Sequence, residues 1–135
     1  MRAIRLTATI VITGLLTVAA FSQSGVTRRI EQPRDPALEM TAKHNLEVAR
    51  YYITKRKAYK GALDRLLEIT DTYPDFSRMD EVLLLIGEAN LKLDKPDDAA
   101  NAFKKLLKDF RDSELAQKAR ERLEEMKVPI DEPKK

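Results

Sequence analysis

The chain has 135 residues, 43% of them hydrophobic and 35% charged, with a formal net charge of +3, one histidine and no cysteine. That length holds one modest domain. The missing cysteine excludes disulfides, thiolate metal sites and acylation of a cysteine behind a leader, and the balanced charge leaves no one-signed field to steer nucleic acid.

The first stretch, "MRAIRLTATIVITGLLTVAAFSQSG", carries Arg2 and Arg5, then an uncharged and largely apolar run from Leu6 to Phe21, then small and polar residues. This is the order of a secretory signal peptide, and the run is shorter than the roughly 20 residues a spanning helix needs. Residues 1–22 are therefore read as a signal peptide. Ala20 and Ser22 are small where a signal peptidase reads, which favours cleavage before Gln23, with cleavage before Gly25 the second choice. A periplasmic location follows; the alternative is an inner-membrane anchor made by an uncleaved leader. Without the leader the chain has 23 basic and 22 acidic residues.

Residues 23–35, "QSGVTRRIEQPRD", have no periodicity and read as a tether. Asp35 before Pro36 is a cap-then-proline start, and Leu38, Ala42, Leu46, Ala49 and Ile53 make one helical stripe. Tyr59, Ala62, Leu66, Ile69 and Tyr73 make a second. Ser77 and Asp80 have the spacing of an acidic capping box before "EVLLLIGEANLKL". Pro96, with Asp97 and Asp98 in the turn where the helix dipole favours anions, opens a fourth helix. Asp112 and Ser113 open a fifth, whose stripe is Leu115, Ala119, Leu123 and Met126. Pro129 biases Val128 away from helix, so the repeat domain is read as residues 36–127 and residues 128–135 as a polar tail. The fold class is all-α.

The second and fourth helices recur at a lag of 37 residues: Ala62 falls on Ala99, Leu66 on Phe103, Ile69 on Leu106, Tyr73 on Phe110 and Asp75 on Asp112. Leu46 and Ala49 fall on Leu83 and Ile86, and a further step places Leu123 under Ile86. The chain is thus about two and a half helical hairpins, a solenoid with a period close to the 34 residues of tetratricopeptide repeats. Ala62 and Ala99 are small where helices must approach, and the aromatic at the hairpin end closes the interface before Pro74 turns the chain. Arg111 stands where Pro74 stands, so Asp112 and Ser113 are expected to make the second turn. Arg50 stands where the next repeat has Gly87, which predicts a looser first hairpin.

Within residues 48–93, Ala49, Tyr51, Tyr52, Arg56, Tyr59, Ala62, Arg65, Tyr73, Pro74 and Asp75 form a succession that resembles the BamD family of outer-membrane assembly lipoproteins, themselves built of tetratricopeptide repeats. "DFRDSELAQKARERLEEM" resembles the repeat endings of that family and of periplasmic Tol–Pal accessory proteins. The likeness is to the family's C-terminal repeats. It implies a protein-binding scaffold in envelope assembly, docking on an outer-membrane assembly subunit, with no cofactor. The family's lipidated cysteine is absent, so no lipid anchor is expected, and nothing suggests nucleic acid. The alternatives are a self-assembling repeat module, hence a homo-oligomer, and a Tol–Pal-type accessory protein.

No enzyme motif competes with this reading. His44 is alone, no serine sits in a nucleophile motif, and Gly25, Gly61 and Gly87 are too scattered to cradle phosphate. Acids and bases alternate at helical spacing, as in Glu88 with Lys92 and Glu114 with Lys118, which is the pattern of a solvated face. The basic run Thr54–Lys57 near a turn reads as solvated, with contact to headgroups or an acidic partner as the alternative. In tetratricopeptide arrays the first helix of each hairpin lines a groove. That register makes His44, Glu47, Tyr51 and Lys55 on the first helix, and Leu84, Glu88, Leu91 and Lys92 on the third, the expected partner-binding residues. The unbroken apolar run Val82–Ile86 covers more than one face, which predicts an exposed Leu84 with Tyr51 as its aromatic neighbour.

Overall fold

The computed structural model describes residues 34–130. The expected signal peptide, nearly all of the expected tether and the last five residues of the expected tail therefore lie outside the described residues. Five α-helices follow in order: α1 (Pro36–Tyr51), α2 (Tyr59–Thr72), α3 (Met79–Lys92), α4 (Pro96–Asp109) and α5 (Ala116–Glu125). They form two hairpins and the opening helix of a third unit, and no strand occurs among the described residues.

The helix starts obey local chemistry at two of five places. Asp35 has extended backbone (φ −66°, ψ 117°) and its Oδ1 accepts from the Ala37 N–H at 2.8 Å, with Pro36 just inside the helix. Pro96 opens α4, followed by Asp97 and Asp98. The capping box of Ser77 and Asp80 does not form. Arg78 holds the cap position of α3 without a side-chain hydrogen bond. Ser77 instead gives its N–H (3.2 Å) and its hydroxyl to Glu39 of α1, and Asp80 accepts from the Ser113 hydroxyl. Partners from the neighbouring repeats outcompete the local cap. Ser113 likewise does not start α5 itself; its hydroxyl accepts from the Leu115 N–H at 3.1 Å and the helix begins at Ala116.

The two hairpin ends are alike despite the exchange of Pro74 for Arg111. Tyr73 and Phe110 end α2 and α4 with nearly the same backbone, φ/ψ −128°/59° and −131°/49°. Phe76 and Ser113 then donate to the carbonyls of Tyr73 and Phe110, each at 3.0 Å. Main-chain turns close both hairpins, so the proline is compatible with the stop rather than its cause. The end of α1 was not legible in sequence. A π-helical turn, Tyr52–Arg56, follows it, and Lys57 turns left-handed at φ 52° so that the Ala58 N–H reaches the Tyr52 carbonyl at 3.0 Å.

The core is the repeat stripe. Ala42, Leu46, Ala49, Ala62, Leu66, Ile69, Ala99, Phe103, Leu106, Ala119 and Leu123 are all fully buried. Leu38 departs from its stripe and is 51% exposed, because burial along α1 begins only at Ala42, one turn further in. Gly87 shows how close α3 and α4 come: a methyl group there would lie 2.3 Å from Cε1 of the Phe103 ring. At the matching place in α1, Arg50 pairs its guanidinium with Glu47 at 3.1 Å and with Glu81 of α3, and α1 packs less extensively on α2 than α3 does on α4, as the bulkier residue predicts. Beyond α5, Val128 and Ile130 pack half-buried on the core, so the packed chain continues past Lys127.

Candidate protein-binding site

The α1 residues expected to meet a partner do share an open face. His44, Glu47 and Tyr51 follow one another at three and four residues, as neighbours on one side of a helix must, and all three are exposed. Lys55 is exposed in the π-helical turn that follows. Met40, one turn before His44, extends the stripe and is 70% exposed. Sequence reasoning missed it, although its place four residues before His44, off the stripe of Ala42, Leu46 and Ala49, was a usable signal. Tyr51 is 51% exposed and its ring tilts against that of Tyr52, with centroids 6.3 Å apart.

The α3 residues do not continue that surface. Leu84 is buried at 4% exposure, against the expectation of an exposed anchor beside Tyr51. Glu88, one turn on, explains why. Its carboxylate reaches Lys118 (3.0 Å) and Arg122 (3.5 Å) of α5, so α5 lies over that side of α3. Glu88 therefore does not pair with Lys92, and Lys118 serves α3 rather than Glu114. Leu91 is half-buried against the core, and Lys92 is exposed. Hydrogen bonding to Glu125, opposed by burial and helped by the charge of Glu125 and then by Glu88, raises the Arg122 pKa above its ordinary value.

A second ion cluster joins α1 to α3. Arg50 bridges Glu47 and Glu81, while Arg78 bridges Glu81 (2.6 Å) and Glu47 (3.5 Å), which closes a ring of alternating sign. Glu47 is thus held by the scaffold as well as half-open to solvent. Such partly exposed pairs are each worth up to about 1 kcal/mol; their clearer effect is to set the position of α1 against α3.

The apolar surface is unevenly shared. Among the described residues the large hydrophobic side chains left exposed, Leu38, Met40, Tyr51 and Leu67, all belong to the first hairpin. The opposite end is closed by α5, which buries Ala116, Ala119 and Leu123 and turns charged residues outward. Leu38 borders a shallow cleft of about 240 Å³ between the start of α1 (Arg34, Asp35) and the α2–α3 turn (Tyr73, Pro74, Phe76). Among the described residues no group of His, Asp and Glu could hold a metal ion. No helix among them is long and apolar enough to cross a membrane.

A family model described as outer membrane lipoprotein, YfiO, matches residues 17–102, which ends in the middle of α4. No curated protein and no solved structure matches the chain. The YfiO match covers well over half of the 135 residues and agrees with the BamD-like resemblance carried by the Ala49–Asp75 stretch and with an all-helical, tetratricopeptide-like fold. The chain belongs to the YfiO family of outer-membrane lipoproteins.

Proposed function

We propose that the protein is an exported, non-enzymatic scaffold that serves outer-membrane protein assembly by binding a protein partner on the open face of α1. One observation carries the reading: every large exposed apolar residue described lies on the first hairpin, whereas the last helix presents a polar surface. A terminal helix with a polar outer face is how a repeat array ends; an apolar outer face is how it meets something else. His44, Glu47, Tyr51 and Lys55, with Met40, are the contact residues on this reading. Leu84 drops out of the contact set, and Glu88, Leu91 and Lys92 remain at its margin.

Family membership supports an envelope location and an assembly role, and the leader supports a periplasmic one. The 135 residues include no cysteine, and on this reading the α1 face makes the contact with the assembly machinery. A photo-crosslinking residue placed at Met40 or Tyr51 in cells tests this, with Gln117 on α5 as control. Crosslinks from the α1 positions to an outer-membrane assembly subunit, and none from Gln117, are expected. Equal crosslinking from Gln117 and Tyr51 would refute the assigned face. Crosslinks from α1 to a second copy of the chain would select the self-assembling alternative, which light scattering on the purified protein would register as a dimer or larger.

A further inference from the structure

One end of the first hairpin carries a run of exposed cations. α1 and α3 run side by side in the same sense, since Glu47 pairs with Arg78 and Arg50, further along, pairs with Glu81. Their C-terminal turns therefore lie at one end. The first hairpin brings Lys55, Arg56 and Lys57, and then Lys60 at the start of α2, to that end with no acid among them, whereas the α3–α4 turn mixes Lys92 and Lys95 with Asp94, Asp97 and Asp98; all six cations are exposed. Lys60 approaches Asp64 at 3.9 Å. Lys55, Arg56 and Lys57 have no side-chain partner among the described residues. The other end is mixed: Asp35, Asp75, Asp80, Asp109, Asp112 and Glu114 stand there with Arg34, Arg78, Lys108 and Arg111.

Helix dipoles alone would place cations at C-termini and anions at N-termini. That accounts for Lys55, Arg56 and Lys92 but fails for α2. α2 starts among Lys57 and Lys60 with no acid in its first turn, and ends with Asp71 and no base in its last. Helix α4 keeps the dipole order, opening on Asp97 and Asp98 and closing on Lys108, so the excess of cations at the turn of the first hairpin is what helix polarity leaves unexplained.

We propose that the basic end, centred on Lys55, Arg56 and Lys57, docks on an anionic phospholipid surface. The cations project from a turn at the tip of the hairpin, where a layer of headgroup phosphates can meet several at once. Tyr51 lies one turn before them with its ring half-exposed, the amphipathic kind of side chain that sits at headgroup level. The cleft, where an acidic peptide could seat a side chain, is at the opposite end beside Asp35 and Asp75, which favours a lipid surface over an acidic protein. This mode of attachment goes beyond the assembly reading: Tyr51 and Lys55 border both surfaces, whereas Arg56 and Lys57 belong to the tip alone, and vesicle binding by the purified protein is read without the protein partner.

The test is flotation of the protein, purified as the cell processes it, with vesicles of phosphatidylcholine alone or with about a third phosphatidylglycerol. Each cation near an anionic surface contributes about fivefold in partitioning, so three contribute about 100-fold. The triple variant Lys55→Gln, Arg56→Gln, Lys57→Asn removes them; asparagine tolerates the left-handed backbone at position 57, and circular dichroism reports that the fold is kept. The expected result is binding to the phosphatidylglycerol vesicles that 0.5 M salt abolishes and that the triple variant loses by about 100-fold. Equal binding to neutral vesicles would assign adhesion to apolar residues and overturn the proposal. So would wild-type binding by the triple variant, or binding to soluble poly-glutamate with none to vesicles, which would assign the tip to an acidic protein.

Discussion

Replacing Gly87 with alanine puts the packing between α3 and α4 to a direct test. A methyl group at that position would lie 2.3, 2.5 and 2.7 Å from three atoms of the Phe103 ring, where ordinary carbon contacts are about 3.5–4.0 Å. The ring is fully buried and held between helices, so relief requires moving it, or α4, by more than 1 Å. In an exposed helix the same change stabilises by about 1 kcal/mol, because alanine is the better helix former. Overpacking a core costs about 1–3 kcal/mol, and a clash with three rigid ring atoms belongs at the upper end, which leaves a net loss of about 1–2 kcal/mol. For a domain of this size each kcal/mol moves the melting temperature by about 4–8 °C, so Gly87→Ala should melt about 5–15 °C below wild type. Adding Phe103→Leu should recover part of that loss, since the smaller side chain frees the space, although Phe103→Leu by itself destabilises. The two changes must therefore be non-additive. A Gly87→Ala protein that melts at or above the wild-type temperature would refute the close approach and, with it, the repeat register that places Gly87 against Phe103.

Three further outcomes follow from named contacts. Asp35→Ala removes the one side-chain helix cap seen on α1 and should cost about 1 kcal/mol, read by urea denaturation; Asp35→Asn, which can still accept from Ala37, should cost much less. Lys57→Gly relieves a left-handed backbone at φ 52°, so it should leave stability unchanged or raise it by up to about 1 kcal/mol, whereas Lys57→Val should lower it by a similar amount. Glu88→Gln weakens the contact of α3 with Lys118 and Arg122; its cost should be under about 1 kcal/mol and should shrink as salt is raised.

The sequence by itself determined the elements and their recurrence. Ala62 with Ala99, Leu66 with Phe103 and Tyr73 with Phe110 are legible because helix periodicity is a property of the chain within one or two turns. The starts at Asp35–Pro36 and Pro96 were legible for the same reason, as was the exposed stripe of His44, Glu47 and Tyr51, which faces away from Ala42, Leu46 and Ala49. The tertiary structure decided what stands opposite each face. Leu84 is buried because α5 arrives from some thirty residues downstream and its Lys118 and Arg122 take Glu88. Ser77 and Asp80 are drawn out of a local cap by Glu39 and Ser113, 38 and 33 residues away. Leu38 is exposed because the packed part of α1 starts one turn after it. In each case the near residues set the direction in which a side chain points, and residues a full repeat away set whether it meets protein or water.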